Sequence, residues 1–176
     1  MNYNSLCQNK YKGSRQKGRV GQVKAEFVNP FVTSAFNVLQ TETKSEVIKG
    51  NVTLQDTPLV SDEVTVLIGV VGRAQGLVLY GMSEKTAKGI VSTMTGEHIA
   101  VFDALAESAV AELGNVITGL ASGELERAGY PCKIAPPSVV VGKNTSISTL
   151  SIKRLVIPLS TRHGDMTVHV ALRETY

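Results

Sequence analysis

The sequence predicts an α+β fold, one antiparallel sheet with helices packed on it, and three observations lead there. Strand-like runs come in groups of three instead of alternating singly with helices. Gly72-Arg73-Ala74 supplies turn material between two of the apolar runs, as a meander requires. The order helix, strand, strand, strand occurs twice, which predicts pseudo-duplicated α-β-β-β halves on element order alone.

Ala25 to Thr43 carries Phe27, Phe31, Ala35, Val38 and Leu39 at helical spacing. Asn29 before Pro30 reads as a cap followed by the first helical position, so the helix proper is predicted to begin near Pro30. Glu46 to Gln55 alternates apolar and polar residues, and Glu63 to Val71 and Gln75 to Met82 are rich in Val, Leu and Ile. Ser83 is an N-cap with Glu84 behind it, opening a short helix that stops at Gly96. A longer helix runs from Phe102 to Ala128 and ends at Gly129 and Pro131. Lys133 to Val141, Ile147 to Ser160 and Met166 to Glu174 are the last β-rich runs, with Pro136-Pro137 marking an extended or edge stretch.

The 176 residues suffice for one compact domain, assigned to residues 25–176. Of the 18 Lys and Arg residues six lie in residues 1–24, which hold no acid, so the net charge of +3 describes a basic opening segment and not the body. That segment is poor in apolar residues and reads as a disordered basic tail. The remainder, with 12 basic and 15 acidic residues, gives no support for nucleic-acid binding. No apolar run reaches membrane-spanning length, the opening lacks a signal peptide's apolar stretch, and Cys7 and Cys132 form no zinc or disulfide pattern. Cytoplasm is the expected compartment, with no metal and no cofactor of the protein's own.

The long helix carries the chemistry. At about 100° per residue, Ala106, Val110, Leu113, Ile117 and Leu120 form a stripe expected to face the sheet. Ser108, Glu112, Asn115, Gly119 and Ser122 form another, polar and nearly free of bulk. Glu112 and Asn115, three residues apart, are neighbours on the helix surface. Small residues around them leave room for a partner to approach. Gly114 and Gly119 each cost a helix about 1 kcal/mol relative to Ala, which calls for a packing or approach reason. His98, His163 and His169 have no metal-ligand spacing, and His163 and His169 read as surface residues.

The stretch Ala106 to Gly119, with Glu112-Leu113-Gly114-Asn115 at its centre, resembles the signature helix of the CheC/CheX/FliY phosphatases. Phe27-Val28-Asn29-Pro30-Phe31 is similar to that family's opening helix. Ile68 to Gly72 with Gly76 to Tyr80 looks like its central hairpin, and Ala135 to Gly142 like the segment after the long helix. The likeness spans roughly residues 25–174. It implies a CheC-like fold and a CheX-like phosphatase acting on the aspartyl phosphate of a CheY-type response regulator in chemotaxis. The regulator would supply its own Mg²⁺ and a Lys. The resemblance implies that Asn115 orients the attacking water and Glu112 pairs with that Lys, while Ser108, Gly119 and Ser122 line the partner-binding face. A homodimer joined through the sheets is also implied. A second Glu-x-x-Asn, Glu26 with Asn29, is the feature that would shift the assignment from one catalytic motif to two. The rival expectation is a non-catalytic scaffold that binds a response regulator or flagellar switch component.

Overall fold

The structure, a computed structural model, describes residues 25–147 and 153–175. The basic segment 1–24, with Cys7, lies outside the described residues. Helix α1 (Ala25–Thr43) is followed by β1 (Ile48–Lys49), β2 (Thr53–Gln55), β3 (Leu59–Val60), β4 (Val64–Gly72) and β5 (Ala74–Met82). Then come α2 (Glu84–Thr95), α3 (Ala104–Arg127), β6 (Cys132–Ile134), β7 (Ser138–Val141), β8 (Ser146–Ile147), β9 (Arg154–Thr161) and β10 (Gly164–Glu174).

The main sheet is antiparallel and runs β1 and β2 on β9, then β10, β5 and β4, with β6 and β7 both on β4. This order is symmetric about the β5–β10 pair. Each half, α1 with β1/β2, β4 and β5, or α3 with β6/β7, β9 and β10, lays its first strands on the other half's second strand. The α-β-β-β repeat suspected from element order is therefore realised in the topology. β3 and β8 form a separate two-stranded sheet.

One core binds the helices to the sheet. Val66, Tyr80, Val168 and Ile157 lie opposite one another across β4, β5, β10 and β9, and all are buried with Phe27 and Phe31 of α1 and Leu113 and Ile117 of α3. The period-two alternation of β4, buried at Val64, Val66, Ile68 and Val70, directs this row inward.

Several expectations need correction. Helix α1 begins at Ala25 and encloses Pro30, so Asn29 is a helical residue and not a cap. Pro30 lies in the second turn, where it has no N–H to give the Glu26 carbonyl, so α1 forgoes one i→i−4 hydrogen bond there. The strand expected over residues 46–55 is two short pieces, and the runs 133–141 and 147–160 likewise divide; residues 148–152 lie outside the described ones. His169 is not a surface residue but 7% exposed, because β10 is a central strand whose neighbours place Leu79 and Val156 on either side of it. Burial, reinforced by the Arg154 charge, pushes its imidazole down to about 4. His163 is half-buried: its Nε2 lies 2.9 Å from Thr93 Oγ1, so the β9–β10 turn docks on α2. The Ser83 cap is as expected, its Oγ accepting from Thr86 N at 3.0 Å, and Gly96 takes the left-handed conformation at the helix end.

Candidate active site on the long helix

Asp103 opens α3 by accepting from the backbone N–H groups of Leu105 and Ala106 at 3.1 and 3.0 Å. The helix buries Ala106, Val110, Leu113, Gly114, Ile117, Thr118, Ala121 and Leu125. Leu120, expected on that stripe, is 52% exposed. The contact includes the small residues Gly114, Thr118 and Ala121, which let the helix sink toward the sheet, and Leu120 is turned roughly 100–160° away from them. A wheel weighted only by bulky apolar residues could not find that contact.

Gly114 has a packing reason. A Cβ there would lie 3.0 Å from Val66 Cγ1 and 3.2 Å from Tyr80 Cδ2, so the helix backbone rests on a pair of side chains opposed across β4 and β5. Thr118 Oγ1 donates to the Gly114 carbonyl at 2.8 Å and lies 2.8 Å from Tyr80 OH. With its own proton committed to Gly114, Thr118 accepts from the phenol. Tyr80 OH, Thr118 and the Gly114 carbonyl thus form a chain that holds the helix at the residue before Asn115. Burial raises the Tyr80 phenol well above its ordinary pKa, so it stays protonated and a donor. Nothing in the sequence pattern linked these three residues.

On the opposite side Glu112 is exposed and Asn115 half-exposed. The Asn115 Nδ2 donates to Glu112 Oε2 at 3.3 Å, which orients the amide and leaves its carbonyl oxygen free to accept among the described residues. Ser108 is exposed and its hydroxyl donates back to the Ala104 carbonyl, while Gly119 is open, a Cβ there meeting only Ile134 Cδ1 at 3.9 Å. Ser122 departs from this set: it is half-buried and its Oγ donates to the Cys132 carbonyl at 3.2 Å, tying α3 to β6. Four of the five expected residues therefore share one accessible face. Among the described residues no cluster of three or more His, Cys, Asp or Glu could hold a metal, and no helix is long and apolar enough to cross a membrane.

Glu26 and Asn29 stand on α1 where Glu112 and Asn115 stand on α3. Phe27, Val28, Phe31, Ala35 and Leu39 are buried in the same order as Leu113, Gly114, Ile117, Ala121 and Leu125. Both residues of the first pair are exposed, but Glu26 accepts a hydrogen bond from Tyr130 OH at 2.9 Å. The Tyr130 ring meets Phe27 edge-on at 4.9 Å and lies beneath the Arg73 guanidinium. The Glu26 carboxylate thus has a structural partner within its own chain, whereas Glu112 is paired only with Asn115 among the described residues.

An antiparallel sheet of two interleaved α-β-β-β halves, with a carboxylate and an amide exposed on the long helix, defines the CheC-like class. A CheC-like superfamily protein from Shewanella sp. PV-4 is 31% identical, with a TM-score of 0.78 over 86% of this chain and 99% of that one. The family model for the chemotaxis phosphatase CheX matches residues 64–160, from the start of β4 through α3 into β9, and the chain belongs to that family. The CheY-P phosphatase CheX of Thermotoga maritima is 28% identical over 151 residues, 85% of this chain and 97% of the relative. In the crystal structure of the CheX–CheY–BeF3–Mg²⁺ complex from Borrelia burgdorferi, a chain 27% identical matches with a TM-score of 0.73, covering 86% of this chain and all of that one.

Proposed function

We propose that this protein hydrolyses the aspartyl phosphate of a phosphorylated CheY-type response regulator, with Asn115 positioning the water and Glu112 engaging the regulator. The observation that carries the reading is the exposed Glu112–Asn115 pair on a helix whose other side is locked to the sheet. Family membership, a relative named for this activity and a related chain solved with CheY support it.

Phosphoryl transfer from an acyl phosphate to water needs little covalent help; it needs a water held in line with the breaking bond and charge stabilised at the phosphoryl oxygens. A neutral amide meets the first need. The Asn115 carbonyl accepts a hydrogen bond from water and points a lone pair of the water's oxygen at phosphorus, without bringing negative charge beside a dianion. Glu112 as a general base is disfavoured, since a carboxylate next to a phosphoryl group is repelled unless it meets a cation. An ammonium from the regulator's own site satisfies that requirement. As Glu112 turns to that lysine, its hydrogen bond to Asn115 keeps the amide in register with the reaction centre. In this reading charge stabilisation would come from the Mg²⁺ and lysine of the regulator, in keeping with the Mg²⁺ of the related CheX–CheY complex. The rigid support beneath Gly114 matters because a displacement of about 1 Å at the water can cost a hundredfold in rate.

That reaction belongs in the cytoplasm, where we place the protein, and the short outer strands β1 and β2, with Ile48 and Leu54 exposed, offer an edge for homodimerisation. The test is phosphate release from a CheY-type regulator phosphorylated with phosphoramidate. Catalytic amounts of this protein should accelerate release over the regulator's own rate. Glu112→Ala should weaken both complex formation and turnover. Tight binding without acceleration by the unaltered protein would instead establish the non-catalytic scaffold.

A further inference from the structure

Three large apolar side chains of α3 stand in solvent: Leu105 at 60%, Val116 at 41% and Leu120 at 52% exposure. Among the described residues α1 and α2 carry no exposed large hydrophobic side chain, so this feature belongs to the helix that bears the Glu112–Asn115 pair. The placement is one-sided. At about 100° per residue, Leu105, Val116 and Leu120 lie roughly 20°, 40° and 80° to one side of Glu112, while Ser108, Gly119 and Asn115 lie to its other side. Glu112 divides an apolar flank from a polar one.

We propose that Leu105, Val116 and Leu120 dock an apolar patch that the response regulator carries beside its phosphorylated aspartate, and so set the affinity for it. The inference rests on the phosphatase reading above and concerns the same site. Two polar side chains cannot hold a protein partner alone: a standard interface covers about 800 Å² on each side, a disc about 16 Å in radius. At 1.5 Å rise per residue, Leu105 and Leu120 are only about 10–12 Å along the axis from Glu112, inside that disc. A regulator that receives Asn115 in its reaction centre must therefore cover the stripe, and an exposed apolar row is what such a partner removes from water.

Helix α1 supplies the contrast. Where α3 has Val116 and Leu120, the matching positions of α1 are Pro30 and Ser34, both buried. Among the described residues the Glu26–Asn29 pair therefore lacks the part of the flank that Val116 and Leu120 supply to Glu112 and Asn115.

The experiment is steady-state dephosphorylation of a CheY-type regulator phosphorylated with phosphoramidate, by Leu105→Ser, Leu120→Ser and the shape-preserving Val116→Thr. Val60→Ser, 53% exposed on β3, serves as a control. Each Leu variant should raise KM on the order of tenfold and Val116→Thr by about threefold, with turnover at saturation retained and the control unchanged. Because all three positions are exposed, circular dichroism should match the unaltered protein; if a Leu variant fails to fold, Val116→Thr still reads the effect. Unchanged KM in variants of a protein that Asn115→Ala inactivates would overturn the docking role and leave the phosphatase reading intact. Absence of acceleration by the unaltered protein overturns both. A change of oligomeric state with KM unchanged would assign the stripe to a second copy of this chain, against the proposal.

Discussion

The hydroxyl chain beneath α3 is open to a double-mutant cycle. Tyr80 and Thr118 are 1% and 0% exposed, and the phenol has Thr118 Oγ1 as its hydrogen-bond partner. Tyr80→Phe removes a donor but leaves Thr118 its bond to the Gly114 carbonyl, so the cost should be one net hydrogen bond, about 1 kcal/mol. Thr118→Val is nearly isosteric but strands the phenolic hydroxyl in the core, a desolvation cost of about 2 kcal/mol. In the double variant the stranded group is gone and Gly114 keeps its helical bond, so the loss should return to about 1 kcal/mol. The coupling is then about 2 kcal/mol, equivalent to a shift in urea midpoint of about 1 M for a domain of this size. Urea denaturation of the four proteins measures it. A double variant about 3 kcal/mol less stable, the sum of the singles, would refute a shared hydrogen bond and with it this account of how α3 is held.

Gly114→Val should destabilise by about 1–3 kcal/mol and lower phosphatase activity together, because the added methyls meet Val66 and Tyr80 and lift the helix; urea denaturation and phosphate release read the two effects. His169→Leu should remove an acid-side loss of stability. The folded imidazole titrates at about 4 and the unfolded one near 6.5, so below 6.5 the unfolded chain binds the proton first. Stability is therefore full above 6.5 and falls by up to about 3 kcal/mol as pH drops toward 4, a decline that denaturation curves should show flattened in the variant. Asn29→Ala should leave dephosphorylation within about twofold of the unaltered protein, since Glu26 is held by Tyr130; a loss comparable to that at the long-helix motif would make the first motif catalytic.

The sequence was most legible where periodicity and terminators agreed. Ser83 and Gly96 bound α2 as their chemistry requires, and the long helix was placed to within a few residues because Gly129 and Pro131 cannot continue it. The Glu112–Asn115 pair was found by spacing and by family likeness together; spacing alone fixes only two positions. What escaped detection depended on tertiary contact. Leu120 was assigned inward because bulk marks a core stripe, whereas α3 packs through Gly114, Thr118 and Ala121, whose smallness is what permits the approach. His169 read as a surface residue, but sheet order, which no single strand encodes, places β10 centrally and buries it. Ser122 looked like its neighbour Gly119 until β6 closed over it through Cys132.

The central claim is that one side-chain amide, standing clear of its own core, positions the water that attacks another protein's aspartyl phosphate. Phosphate release from a phosphorylated CheY-type regulator, compared between the unaltered protein and Asn115→Ala at matched urea midpoints, tests it most directly. The claim predicts that the variant retains its fold and loses acceleration by at least about a hundredfold, to the regulator's own rate. A folded Asn115→Ala protein that accelerates release within a few-fold of the unaltered one would contradict it.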